Sequence, residues 1–343
     1  MAQGQGSHVL VVGAGSMGLI TGYILQLAGA KITFLIRPHR AESLDRPQKL
    51  YSYDDNQLKT FTGYDYITNP SDISGTDYDF IIITLDGAAL KNEVGETLVK
   101  SLGKAVRGTR AKIILGTVFF NLMPWFLKTA NLESEQVISG QLWIHIYPTS
   151  AVTLPVHGSE DVKLIAQADQ AYTDCLGQGF SVENSSPAIA TAFADLWNSS
   201  GVSKCGVVPK EESAVNMTSF FPILAVWGLL DWRNAQKFDA TDPLWILAVK
   251  AVKEIQGLGL HGAVGQQAAA ATTEASLVQV FAGMDKVMPL NLEEFNRYHH
   301  GGKVNTQDRA LLHACIEQGD AEGKSMTALK DLVRRIEAQA PRE

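Results

Sequence analysis

Gly13, Gly15 and Gly18, spaced as G-x-G-x-x-G around Ala14, Ser16 and Met17, are the residues whose types and spacing point most directly to chemistry. A glycine at the first position permits a tight turn, and one at the second puts no Cβ between the backbone and an approaching pyrophosphate. The third lets a new helix pack closely on the preceding strand. At the start of that helix the N–H groups of Ser16, Met17 and Gly18 point at phosphates. Arg37 ends the next apolar run, followed by Pro38, His39 and Arg40. An acidic residue there would hydrogen-bond the ribose hydroxyls of NAD, whereas a guanidinium grips a 2′-phosphate bidentately and stacks on adenine. The pattern predicts NADP(H), with a solvated basic turn as the plain alternative. Further titratable groups, Tyr298, His299, His300 and Lys303, surround Gly301 and Gly302. Adjacent histidines on a helix point to different sides and no third ligand is suitably spaced, so no metal site is expected. Two readings of this cluster stay open: a polar helix C-terminus with glycine as its cap, or donors facing a substrate.

The elements that must position these groups follow from periodicity. His8–Val12 is an apolar run suited to a strand buried on both faces, the glycines open a helix at Ser16, and Lys31–Ile36 is a second strand. Tyr51–Tyr66 reads as a short antiparallel excursion, Asp79–Gly87 as a strand and Ala88–Val106 as a helix. Ala111–Phe119 is another strand, Leu122–Ala130 a short helix, and Gln136–Thr149 and Thr153–Ile165 further strands. Strands alternating with helices imply a Rossmann-type, doubly wound α/β domain with an antiparallel edge. Leu85 and Thr117 fall at carboxyl ends of its strands, where ligands of open α/β sheets bind. Thr117 is expected to offer a backbone group to the cofactor, Asp86 to cap the following helix, and Phe119 and Phe120 to form core or pocket wall. Val182–Ala192 has the composition of a boundary. The division expected is an NADP-binding domain at 1–185 and an all-helical substrate-binding and dimerisation domain at 186–343. Helices are predicted at Glu211–Trp232, with a kink from Pro222, and at Asp242–Leu258, Gly265–Ala282, Leu292–His300, Thr306–Gly319 and Ser325–Ala338.

A chain of 343 residues with 45% hydrophobic content is sufficient for two cores. No apolar run reaches the roughly 18 residues needed to cross a bilayer, and polar Met1–Ser7 lacks the regions of a signal peptide. Cys175, Cys205 and Cys315 are odd in number and far apart, which suits a reducing cytoplasm better than a disulfide framework or a zinc site. The net charge of −7 is spread along the chain, against a nucleic-acid surface.

The glycine loop, the arginine after the second strand and an all-helical second domain together resemble the ketopantoate reductase (2-dehydropantoate 2-reductase, ApbA/PanE-like) family. Leu196–Asn216, "LWNSSGVSKCGVVPKEESAVN", looks like the family's helix, turn and entry into the long helix of its second domain. The resemblance implies an NADPH-dependent oxidoreductase, a small-molecule substrate and a homodimer. It also implies a catalytic lysine four residues before an asparagine, acting as general acid at the carbonyl that receives hydride. With that asparagine on Asn216, Glu212 stands at the lysine's place, and Lys210 lies two residues earlier, about 200° around a helix. Lys210 would still reach a cleft if the helix began after it. Alternatively, a buried and protonated Glu212 would serve as the acid and favour a neutral or cationic substrate such as an imine. Leu85 and Asp86 replace a family lysine, and Gly116–Asn121 replaces a Gln-Asn-Gly turn. Family members hold the substrate carboxylate and hydroxyl with an acidic residue and a helix segment in the region of Glu293–Val304; here His299 and His300 are substrate-binding candidates as titratable donors beside Gly301-Gly302. Phe220, Phe221, Trp227 and Trp232 add aromatic bulk, or core. The expectation is a reductase of a larger, less polar carbonyl or imine than ketopantoate. Its rivals are ordinary ketopantoate reduction through Lys210 and a NADP-binding protein that transfers no hydride.

Overall fold

The computed structural model describes residues 6–158 and 160–339, so most of the polar stretch Met1–Ser7 lies outside the described residues. The chain forms two compact units, one of residues 1–153 and 159–209, the other of 154–158 and 210–343.

In the first unit the order is β1 (His8–Val12), α1 (Ser16–Leu27), β2 (Lys31–Leu35), α2 (Ala41–Leu44), β3 (Gln48–Ser52), β4 (Gln57–Phe61), β5 (Asp65–Ile67), β6 (Phe80–Ile83), α3 (Gly87–Leu90), α4 (Glu93–Val106), β7 (Lys112–Leu115), α5 (Leu122–Ala130), β8 (Val137–Leu142), β9 (His145–Pro148), α6 (Val162–Ile165), β10 (Gln170–Thr173), β11 (Phe180–Glu183), α7 (Pro187–Asn198) and β12 (Cys205–Val208). The main sheet runs β12-β11-β8-β7-β6-β1-β2-β5. Its strands from β5 to β8 are parallel, and β11 joins antiparallel to β8. This is the doubly wound sheet with an antiparallel edge, and its order reverses between β1 and β6, the switch point where such sheets bind ligands. Val9, Val11, Phe34, Ile82 and Ile114 are buried in its core.

A second sheet, β4-β3-β10-β9, contains the expected antiparallel hairpin at β3 and β4, β9 within the strand region expected at Gln136–Thr149, and β10, which the sequence did not announce. Thr153–Ile165 forms no strand beyond one bridge at Val156, and it ends in α6. The expected boundary near 185 also moves. Trp197 and Phe193 of α7 are fully buried beside Phe180, and β12 pairs with β11, so the first unit continues to Pro209. Asn92 breaks the predicted Ala88–Val106 helix, because its side chain accepts from Gly95 N at 2.9 Å and starts α4 afresh.

The second unit comprises α8 (Lys210–Ser219), α9 (Phe221–Leu229), α10 (Pro243–Gln256), α11 (Gly262–Ala271), α12 (Glu274–Val287), α13 (Leu292–Tyr298), α14 (Asn305–Ala321) and α15 (Thr327–Gln339). Helix α10 is central, burying Trp245, Ala248, Val249, Val252 and Ile255. The long helix predicted at Glu211–Trp232 is two helices, because Pro222 has no N–H to donate and sits in the first turn of α9. Gly265–Ala282 likewise divides at Thr273, whose capping box with Ser276 begins α12. The segment 154–158 joins this unit through His157 N to Pro289 O and Asn291 N to Pro155 O, both 2.8 Å. Among the described residues no helix is long and apolar enough to cross a membrane.

Candidate functional site

The loop between β1 and α1 owes its shape to three glycines in three different ways. Gly13 has φ +104°, a conformation that side chains rarely adopt, and its N–H donates to Leu35 O at 2.9 Å. At Gly18 a Cβ would stand 2.0 Å from Gly13 O, so helix and turn touch backbone to backbone. At Gly15 a Cβ would meet nothing within 4 Å, and the residue is exposed. Gly15 is also the N-cap of α1, with no side-chain hydrogen bond to the first turn. The N–H groups of Ser16, Met17 and Gly18 therefore end at an open backbone face with the positive end of a helix behind them, which fits a pyrophosphate.

Neighbouring strands hold the loop. Thr84 Oγ1 donates to Val12 O at 3.1 Å, and the Leu85 side chain lies against Gly13. Thr117, 3% exposed, donates through Oγ1 to Leu85 O at 2.9 Å and so ties the ends of β6 and β7 together. Arg37 stands two residues past the carbonyl that holds Gly13, and Arg37, His39 and Arg40 are all exposed at the end of β2. The structure thus brings together Gly13, Gly15, Ser16, Met17, Gly18, Leu85 and Thr117, with Arg37 at the next strand end. Asp86 is a cap, accepting from Ala88 N at 2.8 Å and Ala89 N at 3.1 Å. Thr84 and Lys91 were missed. Lys91 follows α3, and its Nζ lies 5.2 Å from the centroid of the Phe119 ring, a contact between residues far apart in sequence that no local pattern encodes.

The candidate groups of the helical unit are placed differently from their expected roles. Lys210 is the first residue of α8, so the condition under which it was to reach a cleft, a helix beginning after it, is not met. Glu212 and Asn216 are one turn apart on the same helix, and both are exposed. Glu212 is thus exposed rather than buried as expected. His299 stacks on Phe295 with ring centroids 5.6 Å apart, while His300 turns away and its Nδ1 lies 2.7 Å from Asp308 Oδ2. The glycine cap expected at Gly301-Gly302 does not form. His299–Lys303 is a π-helical turn leading into α14, neither glycine has positive φ, and a Cβ on Gly301 would stand 2.8 Å from Trp232. Trp227 is fully buried against Phe238 and Phe281, so its bulk is core, whereas Phe221 and Trp232 line a cavity of about 200 Å³ with His300 and Asp308. Asp308 lies eight residues from its partner across an irregular turn, a spacing with no sequence signature.

Residues 9–105 match the family described as ketopantoate reductase PanE/ApbA. No curated protein is significantly similar in sequence to the chain. Among solved structures, the 2-dehydropantoate 2-reductase of Geobacter metallireducens GS-15 is 17% identical, with a TM-score of 0.65 covering 97% of this chain and 100% of that one. A D-mandelate dehydrogenase solved with NADH is 12% identical, with a TM-score of 0.66 over 97% and 98% of the two chains. The 2-dehydropantoate 2-reductase of Methylococcus capsulatus is 14% identical, with a TM-score of 0.63 over 96% of each. At such identities the likeness is one of fold. The resemblance read from the sequence therefore holds: residues 9–105 match the ketopantoate reductase PanE/ApbA family, and over nearly all its length the chain shares the fold of the 2-dehydropantoate 2-reductase structures.

Proposed function

We propose that this protein is an NADPH-dependent reductase of the ketopantoate reductase superfamily that acts on a carbonyl or imine other than ketopantoate. The observation that carries the proposal is the open backbone face at Gly15, with an uncapped helix behind it and basic Arg37 at the neighbouring strand end. The N–H groups of Ser16, Met17 and Gly18 hold the pyrophosphate, and Arg37 holds the 2′-phosphate. When bound, the nicotinamide cofactor supplies the hydride, so the chain has to orient the acceptor and polarise it. Asn216 is suited to donate its amide hydrogen to the acceptor oxygen or nitrogen. Glu212, one turn away, would repel a keto-acid carboxylate and favour a neutral or cationic acceptor. Leu85 at the place of a family lysine supports the same departure from keto-acid substrates.

The D-mandelate dehydrogenase relative was solved with NADH; Arg37 is the feature that favours NADPH here. The test is a titration of both cofactors against the wild type and Arg37→Ala. NADPH should bind the wild type more tightly, and the variant should lose roughly ten- to a hundredfold in NADPH affinity while its NADH affinity stays unchanged. Equal affinities in the unmodified protein would refute the NADPH preference. NADPH consumption is then followed over keto acids, ketones and cyclic imines, with Glu212→Gln and Lys210→Ala alongside. Efficient ketopantoate turnover lost only in Lys210→Ala would restore ordinary family chemistry, and no consumption with any acceptor would leave a binding protein.

A further inference from the structure

The cavity in the helical unit holds more polar structure than packing alone requires. Its apolar wall is made by Phe221, Leu224, Trp232, Leu312 and Ile336, and at about 200 Å³ it is smaller than the roughly 300–1,000 Å³ of pockets for drug-sized ligands. Into this space come His300, Asp308 and Arg309. Asp308 is engaged by His300 at 2.7 Å. Arg309 is not: among the described residues no carboxylate pairs with it and its buried Nε finds no acceptor, and its terminal nitrogen makes one long contact of 3.5 Å to Ile336 O. A buried N–H of a guanidinium without an acceptor is costly, and native proteins retain few of them. The first turn of α14 adds to the positive field, since the helix begins at Asn305 beside the cavity with no side-chain cap. The surrounding backbone is specialised as well. Asp231 and Trp232 both have positive φ, at +50° and +52°, and Arg297 clamps the segment through Asp231 Oδ1 and O at 3.2 Å each. The π-helical turn at His299–Lys303 brings Gly301 against the Trp232 ring. Strained residues and π-turns of this kind concentrate at functional sites.

We propose that this cavity is a binding site for a compact aromatic monocarboxylate, with the carboxylate on Arg309 at the mouth of α14 and the ring between Phe221 and Trp232. The aromatic preference comes from those two walls, since offset and edge-to-face ring pairs add to simple burial. The single negative charge is matched to Arg309, the guanidinium that no carboxylate among the described residues engages, whereas Asp308 already has His300 at 2.7 Å. The proposal does not draw on the dinucleotide reading, because every group it uses lies in residues 221–339.

Phenylacetate is the probe, with benzyl alcohol and phenethylamine as its neutral and cationic counterparts, titrated into the full-length protein by calorimetry and by tryptophan fluorescence. Phenylacetate should bind, and the two counterparts should bind at least tenfold more weakly. Arg309→Met should weaken phenylacetate roughly tenfold or more, Arg309→Lys should recover part of the loss, and Trp232→Phe should abolish most of the fluorescence change. Thermal melts without ligand separate a binding role from a structural one. Arg309→Met removes the unmatched Nε donor and one long contact to Ile336 O, and should melt no lower than the wild type. Equal affinity for phenylacetate and benzyl alcohol would overturn the proposal. So would an Arg309→Met protein that binds as the wild type does, or one that melts well below it.

Discussion

Two glycines three residues apart in the same loop should respond oppositely to substitution. A Cβ at Gly18 would fall 2.0 Å from Gly13 O, 2.9 Å from Gly13 C and 3.0 Å from Thr84 Oγ1. Ordinary contact to a backbone oxygen begins near 3.4 Å, so Gly18→Ala must push α1 more than 1 Å off the turn, and the obstacle is backbone that cannot rotate away. Overpacking of this kind costs about 1–3 kcal/mol, and this case belongs at the upper end. In a unit of this size, about 3 kcal/mol lowers the melting temperature by roughly 6–12 °C. Gly15 differs in every respect. Its φ of −77° and ψ of −171° suit any residue, and nothing lies within 4 Å of its Cβ position. Gly15→Val should therefore fold and melt within about 2 °C of the wild type, yet lose dinucleotide binding, because the side chain fills the face that a pyrophosphate needs. Circular dichroism melts of both variants, with an NADPH titration of Gly15→Val, make the comparison. The packing argument fails if Gly18→Ala melts with the wild type. Tight binding by Gly15→Val would mean that the phosphates lie elsewhere.

Two further outcomes follow from the same coordinates. Burial lifts the Asp174 carboxyl from 3.8 to about 6, against the hydrogen bond donated by Ser203 Oγ at 2.7 Å. A folded value above the unfolded one means no penalty below about pH 3.8, a growing penalty between 3.8 and about 6, and its full size above that. The full shift would correspond to about 3 kcal/mol, and partial exposure reduces it to roughly 1–1.5 kcal/mol. Asp174→Asn should therefore be more stable than the wild type in urea at pH 7.5, with the gain fading toward pH 4; a pH-independent difference would contradict this origin. Asp86→Ala removes both acceptor bonds at the start of α3 and should lower stability by about 1 kcal/mol, or roughly 2–4 °C in a thermal melt.

What the sequence made legible was what local pattern encodes. The run His8–Val12, the three glycines and Leu122–Ala130 were found almost to the residue, because buried parallel strands and glycine turns leave continuous signals. Strands β10, β11 and β12 were not, since four residues between turns carry too little periodicity to separate from loop. The unit boundary was misplaced for a related reason. "ENSSP" reads as a linker, but Ser186-Pro187 starts a helix whose Phe193 and Trp197 complete the first unit's core, and only tertiary packing reveals that. Among the candidate groups, the cofactor residues were legible because one short loop contains them. The partnership of His300 with Asp308 was not, because it depends on a π-turn that no residue pattern specifies.

The segment Leu154–Gly158 has a consequence for how the chain is made. It leaves the ribosome before any other part of the helical unit, yet the carbonyl and N–H that receive it belong to Pro289 and Asn291. Roughly 130 residues must be added in between, some 7–26 seconds of synthesis at ~5–20 residues per second. Throughout that interval the His157 N–H and the Pro155 carbonyl are without the partners they have in the complete chain. A fragment started at Lys210 would never acquire the segment, and Leu290, fully buried in the complete chain, would lose its bridge to Val156. The helical unit is thus finished by residues translated before it, and its last step of assembly waits for the polypeptide to return to an earlier portion of itself.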